Sequence, residues 1–231
     1  GEGSKGRLGN GTVERPPSWA PVPVVGLPSD GKALAVGRDH ACVVLRTGAV
    51  HCWGANDHGQ LGNGGPKIPS PVALPVPGLE GVIDITAGYG FTCVLQEGGA
   101  VRCWGRSPAG PSSTPTLLEG APPEATAIAA GDRHLAILAG VQVWIADAKP
   151  PRRVAALAGA RQIAAAADRT CALWRDGAIR CARGKSSERM ELYRPGDSPA
   201  VAFAAASTHL CVVLEDGRFR CIGEDELGQL G

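Results

Sequence analysis

Eight cysteines and five histidines are the residues of this chain best equipped for chemistry. The cysteines form four pairs, Cys42/Cys52, Cys93/Cys103, Cys171/Cys181 and Cys211/Cys221, each ten positions apart. Thiols can bind a metal, exchange electrons or form disulfides. His40 and His209 stand two residues before a cysteine on the same strand face, which suggests a Cys2His metal site. The equivalent residues are Phe91 and Arg169 in the other two units, and the usual Cys-x2-Cys zinc spacing is missing. Disulfides are the preferred reading; buried free thiols and a metal site are the alternatives.

Each pair brackets a turn between apolar runs, as in Cys42-Val-Val-Leu-Arg-Thr-Gly-Ala-Val-His-Cys52. Folding this segment about Thr47 sets Val43 opposite His51, Val44 opposite Val50 and Cys42 opposite Cys52. Opposed residues at a non-hydrogen-bonded antiparallel position have Cα atoms about 4.5 Å apart, within disulfide reach. The other pairs centre on Gly98, Asp176 and Asp216 in the same register. A fifth segment, His134 to Trp144, repeats the pattern with a shorter turn. There Ala136 takes the place of the first cysteine and Val143 that of the second. Loss of both together is the behaviour of bonded partners.

The hairpins belong to a longer repeat. Gly-x-Leu-Gly occurs at Gly6–Gly9, Gly59–Gly62 and Gly228–Gly231, and its first and last copies bracket five periods of about 44 residues. A Pro-containing stretch leads to Val25-Gly-Leu27, Pro77-Gly-Leu79 and Val154-Ala-Ala-Leu157. A short apolar strand and turn then precede each hairpin, as in Ala35-Val-Gly-Arg-Asp-His40 and Ala129-Ala-Gly-Asp-Arg-His134. The hairpins end in Cys52-Trp-Gly54, Cys103-Trp-Gly105, Val143-Trp144, Cys181-Ala182 and Cys221-Ile-Gly223.

Taken in order, Cys-Trp-Gly, Gly54-x-Asn56, Gly-Gln-Leu-Gly and Ala-Gly-x-x-His/Phe-x-Cys resemble the repeat of the regulator of chromosome condensation (RCC1) family. The likeness is strong over 1–105 and 205–231 and degraded over 106–200. It implies an all-β fold, a β-propeller of about five RCC1-like repeats, standing alone or within a larger six- or seven-bladed ring. The repeat units run over about 1–54, 55–105, 106–145, 146–183 and 184–223, within one domain, with 224–231 starting or closing the next blade. Relatives include a nucleotide exchange factor for a small GTPase and secreted inhibitors of β-lactamase. Neither activity is carried over; the exchange factor works in the nucleus and binds chromatin, whereas this chain has paired cysteines and no basic tail.

The register carries further expectations. Val154–Ala167 has helix-forming composition, yet Ile163 aligns with Ile83 and Ile128, so it reads as loop and strand. Trp53, Trp104 and Trp144 share one position and should pack between blades, which leaves Trp19 and Trp174 as the candidate exposed aromatics. The recurrent His40, His134 and His209 should satisfy backbone groups near the axis. Gly37, Gly88 and Gly131 should make tight turns. The Gly-rich motif lacks the Lys-Ser/Thr and helix of a phosphate loop.

Composition narrows the function. In 231 residues the net charge is +1, with no basic stripe for nucleic acid. No apolar run reaches the roughly 20 residues of a membrane span. The 33 glycines and 19 prolines suit a turn-rich chain. The chain begins at Gly1 without Met or a signal peptide, as a processed or excised terminus would, so the expected extracellular, periplasmic or cell-surface location rests on the cysteines.

No catalytic, cofactor or metal residues are expected. Variable turns are where specificity can live. One set is Arg38-Asp39, Tyr89-Gly90, Asp132-Arg133, Ala167-Asp168 and Ser207-Thr208, which should gather as a ring on one face. Arg38, Asp39, Tyr89, Asp132, Arg133 and Asp168 are the candidate partner-binding residues. Another is the connection after each Trp-Gly, namely Asn56-Asp57-His58, Arg106–Pro115, Ala146–Arg153 and Arg183–Pro199, the last being the longest and most polar and reading as a partner-facing excursion or a tolerated loop. The expected role is a non-enzymatic protein–protein interaction module. A building block of a surface assembly and a propeller hydrolase or lyase are the alternatives.

Overall fold

The computed structural model describes residues 2–13, 18–147, 150–183, 186–194, 196, 198–224, 226, 228 and 230, with backbone alone over 186–191. Apart from three short 3-10 turns, its regular elements are strands. Four of the five hairpins are extended on both sides into an antiparallel sheet, and among the described residues the last is extended on one side.

Residues Gly1–Pro123 form one compact unit with two sheets. The first sheet orders β1 (Gly31–Val36), β2 (His40–Leu45), β3 (Val50–Gly54) and β4 (Ser70–Val76). The second orders β5 (Val82–Ala87), β6 (Phe91–Gln96), β7 (Val101–Ser107) and β8 (Gly110–Leu117).

Residues Glu124–Gly231 form the other unit with three sheets. The third sheet holds β9 (Ala125–Ala130), β10 (Leu135–Ala139), β11 (Gln142–Ala146) and β12 (Arg152–Arg153). The fourth holds β13 (Gln162–Ala166), β14 (Arg169–Leu173), β15 (Ile179–Arg183) and β16 (Ser186–Tyr193). The fifth holds β17 (Ala200–Ala205), β18 (His209–Leu214) and β19 (Phe219–Gly223).

Sheets and sequence units are out of phase. Each unit from residue 55 onward supplies its first strand to the preceding sheet and its next three to a new one. Covalent continuity therefore staples neighbouring sheets together.

The hairpin register agrees with the cysteine spacing. Cys42 faces Cys52, Val43 faces His51 and Val44 faces Val50, and the other cysteine pairs are opposed in the same way. All four are disulfides, with Cα atoms 4.0–4.1 Å apart, and no cysteine is free.

The fifth, cysteine-free hairpin differs from expectation. Ala136 faces Ile145, and Val143 faces Leu138. Ile145 therefore holds the second-cysteine position and Ala146, not Trp144, the tryptophan position. The tight turn removes one residue from the loop, which slides the second strand against the repeat. Ile163 likewise aligns with Ile128 and Ile85, facing Ala172, Ile137 and Val94 in turn, while Ile83 is exposed.

Alternation along each hairpin makes two faces that bury differently. In the first unit the disulfide face of sheet one, Cys42, Val44, Val50 and Cys52, packs with Ile85, Val94 and Trp104 of sheet two. In the second unit Ala136, Leu138, Val143 and Ile145 pack with Ile163, Ala172 and Ala182 of sheet four. The disulfide face of sheet four, Cys171, Leu173, Ile179 and Cys181, meets Phe203, Leu210 and Val212 of sheet five. Cys42–Cys52 and Cys171–Cys181 thus fill cores between sheets, and Ala136 with Ile145 fills the same place in sheet three by apolar volume.

Two readings of irregular segments are settled. Val154–Ala167 forms a 3-10 turn, Ala155–Leu157, followed by strand β13. The polar stretch read as an excursion forms β16, whose backbone pairs Tyr193 with Ile179. Residues Gly184, Gln229 and Gly231 lie outside the described residues.

Candidate functional site

The repeated landmarks hold neighbouring sheets together. The Trp104 indole N–H donates to the Gln60 carbonyl at 2.8 Å, and that of Trp53 to the Arg7 carbonyl at 3.1 Å. Gln60 and Arg7 are the second residues of Gly-x-Leu-Gly. The last glycine, Gly62 or Gly9, lies under the ring with φ near +70°, and a Cβ at Gly62 would stand 2.6 Å from the indole nitrogen of Trp104. Asn56 shapes the loop: Leu61 N donates to its Oδ1 at 3.1 Å and its Nδ2 donates to the Pro66 carbonyl at 3.0 Å. The two sequence signatures co-occur because one is the seat of the other.

Histidines add a second link. His40 Nε2 lies 2.8 Å from Thr92 Oγ1, which donates to the Gln60 carbonyl at 3.0 Å. The threonine proton is thus committed to Gln60, so His40 donates from Nε2. His134 Nε2 meets Thr170 Oγ1 at 2.8 Å in the second unit. The partner is a threonine of the next sheet, where a backbone group was expected. Burial pushes the His40 imidazole down to about 4 and also lowers that of His134. Gly37 and Gly131 are required here by space, with no positive φ: a Cβ would overlap the histidine ring and lie 2.7 Å from Gly88 O or 2.6 Å from Ala167 O.

The candidate turns divide into two groups. In the first unit Arg38 stacks over Tyr89 at 4.9 Å, and His58 meets the edge of Tyr89 at 6.5 Å. Asp39 is held by Arg7 at 2.8 Å. In the second unit Asp132, Arg133, His134, Asp147, Asp168 and Thr170 line a cleft of about 580 Å³. Asp132 N donates to the Ala167 carbonyl at 2.8 Å, which joins two turns, and Ala167 is held at φ 49°. Arg152 approaches Asp147 at 3.6 Å and Arg183 approaches Asp168 at 4.0 Å. Ser207 and Thr208 of the fifth sheet are not among the lining residues.

Of the two singled-out tryptophans, Trp19 is 93% exposed. Trp174 is instead a packing residue: its indole donates to the Ala158 carbonyl at 3.0 Å and Arg180 stacks on it at 4.6 Å. His58 and Asp147 fall in the variable connections Asn56–His58 and Ala146–Arg153, whereas Thr170 went unnoticed in sequence. The threonine before the first cysteine in both Thr92-Cys93 and Thr170-Cys171 was the available signal.

Comparison with known proteins gives the architecture its class. A profile of the regulator of chromosome condensation (RCC1) repeat matches residues 32–60 and 82–110, and a second profile of that repeat matches 47–95. The human regulator of chromosome condensation is 31% identical over 112 residues, 46% of this chain and 25% of that protein. The mouse secretion-regulating guanine nucleotide exchange factor is 31% identical over 159 residues, 68% of this chain and 32% of that protein. The chain thus spans a quarter to a third of these curated relatives.

Among solved structures, human WBSCR16 superposes with a TM-score of 0.80 at 18% identity, covering 100% of this chain and 71% of that one. Prp20p of Saccharomyces cerevisiae gives 0.72 at 18% identity, covering 86% and 58%. The chain carries RCC1-type repeats on a β-propeller fold.

Proposed function

We propose that this chain is a protein-interaction module working in an oxidising compartment, outside the cell, in the periplasm or at the cell surface. One observation carries the reading. Repeated residues serve packing between blades, while the turns between first and second strands present side chains that differ from blade to blade. Arg38 and Tyr89, with His58 of the β3–β4 loop against the tyrosine, make one such surface, and Asp132, Arg133 and Asp168 another. Mixed charge beside an aromatic suits a protein surface better than a polyanion.

Prp20p has been studied for its binding to Gsp1p and histones, and yeast RCC1 has been crystallised bound to Kap60. Those partners are theirs; what they support here is the use of this scaffold to hold proteins. The disulfides support the compartment. No described helix is long and apolar enough to cross a membrane.

A photo-crosslinking residue placed at Tyr89 or Asp168 should capture one discrete partner in extracts of the source, whereas the same probe at exposed Leu117 should not. Equal capture at all three positions removes the interaction reading. Alkylation of intact cells before lysis tests the compartment: eight free thiols on the native protein would place it in a reducing one.

A second reading, a building block of a surface assembly, draws on sheet five. Among the described residues it has three strands, and β19 exposes Phe219 and Ile222 by 77% and 51%. Concentration-dependent assembly in light scattering, lost in Phe219→Ser, would favour it.

A further inference from the structure

The two histidine–threonine bridges are alike, but among the described residues only one is covered. Between β3 and β4 the chain runs through residues 55–69, and this loop brings the Gln60 carbonyl onto Thr92, the partner of His40. Gln60 and Leu61 are 2% and 0% exposed. Between β11 and β12 only residues 147–151 intervene. No Gly-x-Leu-Gly loop is present there, and the space above His134 and Thr170 is the cleft of about 580 Å³. The cleft is thus the seat of a loop that this blade has lost.

Corresponding positions can be matched one by one. Thr170 takes the place of Thr92, since each precedes the first cysteine and faces Ala182 or Trp104 across the hairpin. Asp168 takes the place of Gly90, against which His58 of the covering loop is pressed. Asp147 takes the place of Gly54 in register. In the covered blade Thr92 Oγ1 donates to a main-chain carbonyl. Thr170, 1% exposed, is among the residues lining the cleft, and its hydroxyl meets His134 Nε2 at 2.8 Å.

The lining differs from the covered seat in charge. Three carboxylates, Asp132, Asp147 and Asp168, face one guanidinium, Arg133, while burial holds His134 towards its neutral form. Arg152 and Arg183 reach two of these carboxylates only at 3.6 and 4.0 Å. A polyanion is disfavoured by this lining, and a cationic side chain is favoured.

We propose that the cleft binds a main-chain turn of a partner protein, which presents a backbone carbonyl to Thr170 Oγ1 and a Lys or Arg side chain to Asp132, Asp147 and Asp168. This rests on the interaction reading above and names the partner's local chemistry. The covered blade is its precedent: the same floor there accepts a turn supplied by the chain itself. The floor is preorganised, because the Asp132–Ala167 hydrogen bond fixes its two turns and Ala167 is already held in a strained conformation.

The test uses the full oxidised chain and two probes. One is the capped peptide of residues 55–66; the other is that peptide with His58→Arg, which sets a cation beside Asp168. Amide shifts of Asp132, Asp168 and Thr170 should appear at about 1 mM peptide, as expected of a weak, flexible ligand. The arginine peptide should bind several-fold more tightly at low salt and lose that advantage at high salt. Thr170→Val should weaken both by about fivefold, the loss of one hydrogen bond, with all four disulfides retained; because it also removes the partner of His134, Thr170→Ser, which keeps the hydroxyl, should bind both peptides as the unaltered chain does.

A chain in which 147–151 is replaced by 55–69 fills the seat in cis and should no longer respond to peptide. Unshifted cleft amides with both peptides, or an unaltered response in the grafted chain, overturns the proposal. If crosslinked capture through Tyr89 persists while Thr170→Val and the graft change nothing, the cleft proposal fails and the interaction reading stands. Loss of capture from every turn is failure of that reading instead.

Discussion

Glycine and histidine show at the residue scale how much depends on close approach. Gly62 and Gly98 both have positive φ, but a Cβ at Gly62 meets Trp104 whereas one at Gly98 meets nothing within 4 Å. Gly98→Ala should cost about 1 kcal/mol, the left-handed penalty alone. Gly62→Ala should cost about 3 kcal/mol, because the clash also displaces the indole hydrogen bond. Chemical denaturation of the two variants checks the difference. Ala167 is the reverse case, a side chain where glycine would be relaxed, and Ala167→Gly should gain about 1 kcal/mol.

Acid stability follows from the buried imidazoles. The folded value for His40 is about 4, below the unfolded value near 6.5, so the unfolded chain binds the proton first. Stability is full above pH 6.5 and falls as the pH drops towards 4, by roughly 3 kcal/mol at His40. His134 acts in the same direction. His40→Gln keeps a donor for Thr92 without titrating, so its denaturation midpoint should depend less on pH in that window. An unchanged slope would show that His40 is not the titrating group.

Hairpin register can be tested at the scale of the element. Ala136 faces Ile145, so Ala136→Cys with Ile145→Cys should form a fifth disulfide on folding, while Ala136→Cys with Val143→Cys should leave two thiols. Thiol titration under non-reducing conditions separates the two outcomes. Sequence could not supply this register. Ala, Val and Ile are interchangeable apolar residues, and a one-residue change in turn length leaves no mark on composition. The four cysteine hairpins were legible because a covalent partner fixes both members at once. β16 was misread as a loop because its polar residues lack a clean apolar alternation, and its pairing with β15 comes from backbone groups that sequence does not display. The cleft was invisible for a related reason. It arises from the missing length between β11 and β12, seen only against the loop that fills the equivalent seat.

For the whole molecule, burial sets the order in which the disulfides yield. Cys42–Cys52, Cys93–Cys103 and Cys171–Cys181 lie at 0–1% exposure in cores, whereas Cys211 and Cys221 are only partly buried. Reductant reaches an accessible sulfur first. Time-resolved alkylation should therefore find Cys211 and Cys221 modified before the other six, and simultaneous modification of all eight would point to global unfolding as the only route. Each disulfide closes a short loop and stabilises its hairpin by about 2–3 kcal/mol in the chain-entropy model.

Taken alone, the amino-acid order determined the blade type, the repeat period and the register of the four cysteine hairpins. Those properties are local, carried by residues within ten positions of each other or by motifs that recur intact. Tertiary structure decided the rest: which unit lends each fourth strand, that histidines bridge to threonines of the next sheet, and that one blade keeps an open seat where its sibling is filled. The bridges join residues far apart in the chain, His40 with Thr92 and His134 with Thr170. They depend on how loop length and packing bring separate blades together, and no single stretch of sequence encodes that distance.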